Sequence, residues 1–176
     1  TCALPIWYNQ IETHFRPAEL ATDTAKTIDV LLHIIEIRGL EKGICGVFLP
    51  TCPFRTEQHI IEAEKRLSAK VNSVISVAYY DFPITFCGEL MPEGADVLFR
   101  IQKESPLLNN MTQAQSQKKM AHPNGAIYIS RIENIIQQKS FFKGTIGGYL
   151  MDRMSSLDID TADDLAFARY LFNSGK

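Results

Sequence analysis

The stretch ICGVFLP, Ile44 to Pro50, is the one whose reading decides the fold class. It is a short, unbroken apolar run closed by proline, which suits a strand covered on both faces better than one side of a helix. Upstream, from Asp23 to Arg38, Ile28, Leu31, Leu32 and Ile35 recur at helical spacing and Gly39 supplies a stop. Downstream, TCPFRT turns the chain, and Thr56 caps a helix that carries Ile60, Ala63 and Leu67 on one face. SVISVAY, Ser73 to Tyr79, then reads as a second buried strand. Helix, strand, helix, strand is the rhythm of an α/β fold with a mostly parallel sheet.

The rhythm breaks between Phe82 and His122. FCGEL, a turn at MPEG and ADVLFR predict a hairpin, followed by a polar, extended or mobile segment rich in Gln, Asn and Lys. After this insertion GAIYIS returns as a strand, RIENIIQQK as a short helix, GGYLMD as a further strand and TADDLAFARYLF as a closing helix. No internal repeat or linker divides the chain, and 176 residues favour one domain.

Composition excludes more than it selects. A net charge of -2 offers no basic field for a nucleic-acid partner. The longest apolar stretch, IDVLLHIIEI, is too short and too interrupted by charge to span a bilayer. TCALPIW has neither the basic start nor the apolar middle of a signal peptide, so the expected location is cytoplasmic. Cys2, Cys45, Cys52 and Cys87 form no CxxC pair and read as free thiols in a reducing compartment. Cys52, between Thr51 and Pro53, invites a nucleophile reading, but no base stands near it in sequence. The histidines His14, His33, His59 and His122 lack zinc-ligand spacing.

The densest charge lies in SSLDIDTADD, Ser155 to Asp164, which divides in two. Thr161 with Asp164 three residues on fits a capping box, and Asp163 and Asp164 place negative charge where a helix dipole favours it. Asp158 and Asp160 precede that helix on an extended segment, where side chains two apart share a side. Leu157 and Ile159 are then expected to face the core while two carboxylates converge opposite them. Two solvated loop aspartates are one reading. The other is a cation held between like charges, magnesium being the economical choice because it accepts one or two carboxylates plus water and phosphate oxygens.

RPAELATDTAKTIDV, FLPTCPFRT, HPNGAIYIS and SSLDIDTADDLAFA occur in this order. Together they resemble the acylneuraminate cytidylyltransferases, the CMP-sialic acid synthetases and their bacterial nonulosonate relatives, from Arg16 nearly to the C-terminus. The resemblance implies a nucleotidyltransferase sheet of Rossmann-like, glycosyltransferase-A-like type. It also implies transfer of CMP from CTP to the anomeric hydroxyl of a nonulosonate, with release of pyrophosphate. On this chain it places magnesium and catalysis at Asp158 and Asp160, and nucleotide contacts at Arg16 and Thr27. The sugar pocket falls to Tyr128, Phe141 and Phe142. Core packing is the competing reading of the two phenylalanines. A homodimer joined partly through residues 82–122 is the expected partner arrangement, with a flap folded on its own chain as the other possibility.

Against the family pattern, the chain shows no counterpart of the opening ARGGSKGIPGKN-type phosphate loop. Residues 1–15, TCALPIWYNQIETHF, stay unassigned and look like a foreign or damaged end. Residues 16–176 are expected to be a cytidylyltransferase domain without its first strand and phosphate loop, inactive in this form. Leu49 stands at a glutamine position, and Thr85 and Gln113 lie near positions of a lysine and an arginine. A legionaminate-type sugar is therefore an alternative to N-acetylneuraminate. Two further readings stay open: a metal-dependent glycosyltransferase-like protein and a non-catalytic binding or assembly module.

Overall fold

The computed structural model describes residues 12–94 and 96–175. Residues 1–11, which hold most of the unassigned end, lie outside the described residues. Four strands form the main sheet in the order β1 (Ile44–Val47), β5 (Ala121–Arg131), β2 (Ser73–Tyr79), β6 (Ile146–Leu150). β3 (Gly88–Glu93) and β4 (Asp96–Ile101) pair with each other as the hairpin of the insertion. The turn sits at Gly94, the last residue of the predicted MPEG, because Met91, Pro92 and Glu93 are still paired.

The sheet is mixed where a mostly parallel one was expected. β2 and β6 pair in parallel, whereas β5 pairs antiparallel with both β1 and β2. β1, β2 and β6 thus share one direction, and β5 returns between them after the insertion. A buried apolar strand reads the same in either direction, so hydrophobic pattern could not reveal this reversal.

Helices cover both faces. α1 (Thr27–Ile37) and α3 (Ile132–Gln138) pack on one side, where Ile35, Ile132 and Ile135 meet Ile75 of β2 and Phe141. On the other side Ala63 of α2 (Glu57–Glu64) joins Val74, Ile127, Ile129 and Tyr149. Adjacent residues Val74 and Ile75 go to opposite clusters, as the two-residue period of a strand requires. α1 begins at Thr27, later than the predicted Asp23, because the preceding residues turn, with the Ala25 N–H donating to the Thr22 carbonyl. Gly39 ends its C-terminal turn at φ +59, a conformation that costs glycine little. Thr56 caps α2, and His59 Nδ1 accepts the Thr56 N–H in return, a reciprocal cap the sequence reading did not contain.

β1 corrects the expectation of burial on both faces. It alternates between exposed and half-buried, and Ile44 is 47% exposed. Cys45 and Val47 pack toward α1 and α3, while the opposite face is open. β1 pairs with β5 alone among the described strands and occupies one edge of the sheet. Phe48 to Pro50 have already left the strand, so the apolar run spans a strand end and the loop after it. No helix among the described residues is long and apolar enough to cross a membrane.

Candidate active site

The chain leaves β1 into the loop of Phe48 to Thr56, which is tied to β5 by one cation. The Arg55 guanidinium donates to the carbonyls of Leu49 at 3.1 Å and Ala126 at 2.8 Å and lies over the Phe48 ring. Against this loop runs the segment after β6. The Ile159 N–H donates to the Thr51 carbonyl at 2.9 Å, which brings Asp158 beside Cys52.

Asn124, 5% exposed, locks the same corner. Its Nδ2 donates to Ser156 Oγ at 2.8 Å, and its Oδ1 accepts from Ser76 Oγ and from the Ala126 N–H. Next to it Gly125 adopts φ +79, and a Cβ there would stand 3.3 Å from Asp158 Oδ2 and 3.5 Å from Cys52 Sγ. Glycine is what admits the carboxylate to this position.

The aspartates of the segment differ in what already occupies them. Asp152 accepts from the N–H groups of Met154 and Ser155 and from Ser155 Oγ, and these bonds hold its carboxyl below the usual range. Asp164 accepts from the Thr161 hydroxyl and N–H, completing the predicted capping box of α4 (Ala162–Asn173), and its carboxyl is lowered for that reason. Asp158, half-buried, accepts only the Cys52 thiol, at 3.6 Å, among the described residues. Asp160 is exposed; its backbone N–H donates to Asp164 Oδ2. Leu157 and Ile159 are half-buried like Asp158, so the expected division into core and solvent faces does not hold. The segment is an irregular crossing without strand neighbours, and no pleat sorts its side chains.

Cys52 is not placed as a nucleophile. It is 2% exposed, and burial, with the Asp158 charge second, pushes its thiol up to about 11. It stays protonated at neutral pH and donates toward Asp158 and the Asn124 carbonyl.

Two cavities flank this corner. One, of about 260 Å3, gathers Thr27, Tyr128, Phe141 and Phe142, four residues far apart in sequence, with Leu49, Lys139 and Ser140. Phe141 is buried and Phe142 is 55% exposed; their ring centres lie 5.6 and 5.9 Å from that of Tyr128. Phe141 therefore serves both readings, core packing and pocket wall. Burial raises the Tyr128 hydroxyl above its ordinary pKa, and Cys52 and Asp158 add to the effect. The other cavity, an open cleft of about 970 Å3, is lined by Asp152, Asp158 and Asp164 together with Tyr79, Tyr80 and His122. Leu49 adjoins both regions, since it lines the aromatic pocket and lies 3.5 Å from the position of a Cβ on Gly125.

Arg16 is exposed and lines neither cavity, and Asp160 also lines neither. Thr85 and Gln113 lie apart from the aromatic pocket, with Thr85 Oγ1 donating to Gln117. Sequence reasoning passed over Arg55, Asn124, Gly125 and Lys139. The first three stand within the quoted strings FLPTCPFRT and HPNGAIYIS, which was the available signal.

No cluster of three or more His, Cys, Asp or Glu among the described residues is arranged to hold a metal. Asp158 nonetheless fits a hard cation that takes one or two carboxylates: its oxygens accept no N–H or O–H, and Gly125 keeps the space beside them free of a Cβ.

The chain matches no protein-family model. It is similar to the N-acylneuraminate cytidylyltransferase of Escherichia coli O18:K1:H7, 32% identical over 155 residues, 87% of this chain and 35% of that protein. The N-acylneuraminate cytidylyltransferase of Streptococcus agalactiae serotype V is 32% identical over 163 residues, 88% of this chain and 36% of its own length. The CMP-N,N'-diacetyllegionaminic acid synthase of Legionella pneumophila is 28% identical over 160 residues, 89% of this chain and 66% of that protein. The chain spans about a third of the length of the first two curated relatives.

Proposed function

We propose that this homologue of the N-acylneuraminate cytidylyltransferases transfers CMP from CTP to the anomeric hydroxyl of a nonulosonate and releases pyrophosphate. The observation that carries the reading is the convergence of Thr27, Tyr128, Phe141 and Phe142 on one pocket, one residue's width from the uncommitted carboxylate of Asp158.

In this reading the sugar oxygen attacks the α-phosphorus while the bond to the pyrophosphate oxygen breaks. Such a reaction needs positioning and charge neutralisation and no covalent enzyme intermediate. Asp158, with Asp160 from the same segment, would hold magnesium, which when bound supplies positive charge against the phosphate oxygens. Cys52, Asn124 and Gly125 fix where the Asp158 carboxylate points. Tyr128 and the phenylalanines orient the sugar, Tyr128 as a neutral hydroxyl, and Leu49 shields the passage between sugar and phosphates from water. Arg16 and Thr27 are the nucleotide contacts; Thr27, exposed at the start of α1, is within reach of either substrate.

Leu49 favours a less polar nonulosonate, a legionaminate-type sugar, over N-acetylneuraminate. A homodimer through the insertion is supported by the bare apolar surface of its hairpin, where Leu90, Val97 and Phe99 are each more than half exposed. The test is CTP-dependent pyrophosphate release with N-acetylneuraminate and N,N'-diacetyllegionaminate, with and without magnesium, by this chain and by a version given a family-type first strand and phosphate loop. Release that needs both the sugar and magnesium supports the proposal, and failure of the loop-bearing version to release pyrophosphate with either sugar refutes it. Sedimentation of the same preparation decides the dimer, since a monomer at high concentration contradicts it.

A further inference from the structure

Lys139 follows α3 with φ 50 and ψ 38, in the left-handed region that is crowded for a side chain with a Cβ. Its N–H donates to the Ile135 carbonyl at 2.9 Å, closing the helix at the position glycine usually takes. The other non-glycine residue with positive φ among those described is Asn110, and asparagine tolerates this conformation. Lysine has no such local reason to be there.

The strained backbone puts Lys139 in the wall of the aromatic pocket beside Tyr128 and Phe142. Among the described residues that pocket is lined by no carboxylate, and Lys139 is its one cationic group, with hydroxyls contributed by Thr27, Tyr128 and Ser140. On its other side Lys139 borders a groove that includes Glu36 and Glu41. Yet among the described residues the ion pairs within 4 Å are Arg38 with Glu12 and Arg153 with Asp81, so neither glutamate holds it. An unpaired ammonium at the edge of such a pocket suits a sugar ring with one negative group, its C–H face against the aromatic rings and its polar groups against the hydroxyls.

We propose that Lys139 determines specificity by pairing with the carboxylate of the sugar acid. The proposal rests on the sugar-acid reading of the pocket given above. The left-handed turn is retained, in spite of its strain, because it aims the lysine at this anion.

Calorimetric titration of the whole chain with N,N'-diacetyllegionaminate and with its methyl ester tests it, in the wild type, Lys139→Gly and Lys139→Arg, with CTP titrated in parallel. The wild type is expected to prefer the acid over the ester by about tenfold, the effect of one hydrogen bond to a charged group. Lys139→Gly should abolish that preference, leave CTP affinity unchanged and hold or raise the melting temperature, because glycine adopts φ 50 without strain. Lys139→Arg should keep most of the preference. A preference that survives in Lys139→Gly, or equal binding of acid and ester by the wild type, overturns the lysine assignment alone. A lowered melting temperature in Lys139→Gly overturns it as well, by showing that the lysine serves the fold through Glu36 and Glu41. Weakened CTP binding in that variant would assign the ammonium to phosphate and also overturn it. Absence of binding by both acid and ester overturns this assignment and the sugar-acid reading together.

Discussion

Asp158 and Asp164 lie six positions apart on one segment and line the same cleft, yet they are different kinds of charge. Asp164 is surrounded by donors from its own helix start, and its negative charge is consumed in closing that end. Asp158 sits against a thiol and a glycine, and among the described residues it accepts no N–H or O–H. A carboxylate saturated by local N–H and O–H groups contributes to stability. One held by weak contacts in a roomy corner is free to contribute to chemistry.

The largest effect expected from this contrast is on Asp158→Asn. In the version given a family-type first strand and phosphate loop it should lower CTP-dependent pyrophosphate release by about 10²-fold or more, the scale of losing a preorganised electrostatic group, and move stability by about 0.5 kcal/mol at most. Steady-state rates and urea unfolding of the same variant measure both. An unchanged rate with a large stability loss would erase the distinction between the two aspartates.

Asn124→Ala sharpens the comparison from the other side, because this buried amide connects Ser76, Ser156 and the Ala126 N–H. Leaving those groups without their partner should cost about 2–3 kcal/mol in urea unfolding. A neutral result would mean that the Asp158 segment is held by other contacts.

The Asp164 side of the contrast is read through Thr161→Ala, which removes the cap and should cost about 1 kcal/mol while leaving magnesium dependence intact. The associated pH effect has a defined sign. The carboxyls of Asp152 and Asp164 are depressed below their ordinary 3.8, so the stability they contribute is present above that value and is lost as pH falls through the lower folded-state values. Replacing both with Asn should flatten the acid limb of a stability profile between neutral pH and about pH 3. A limb of unchanged slope would show that their hydrogen bonds carry no linkage.

The smallest perturbation is chemical. At pH 7.5 iodoacetamide should label exposed Cys87 well before buried Cys52, whose thiol titrates at about 11. Peptide mass spectrometry after timed quenching reads the order. Rapid labelling of Cys52 would restore the nucleophile reading and remove the thiol from its supporting position beside Asp158.

Much of this was legible before the structure because it depends on residues within one helical turn or one hairpin. The Thr161–Asp164 cap, the Thr56 cap, the stop at Gly39 and the pairing of the two insertion strands all follow from local spacing. The string resemblance named Tyr128, Phe141 and Phe142 as a sugar pocket and Thr27 as a nucleotide contact, and one pocket contains all four. It grouped Asp160 and Arg16 with the functional residues as well, and these remain outside both cavities.

By itself, then, the order of residues determined most of the elements, the ends that carry a cap or a glycine stop, and which strings resemble a known family, since propensity, capping and apolar period act over a few residues. Only tertiary structure decided that β5 runs against its neighbours, that β1 has one covered face, and that Asp158 meets Cys52 and Gly125 while Lys139 shares a pocket with Tyr128. Those outcomes depend on register and close approach between segments separated by most of the chain. An isolated strand or loop has the same local pattern whichever neighbour it is given, and packing alone selects the neighbour.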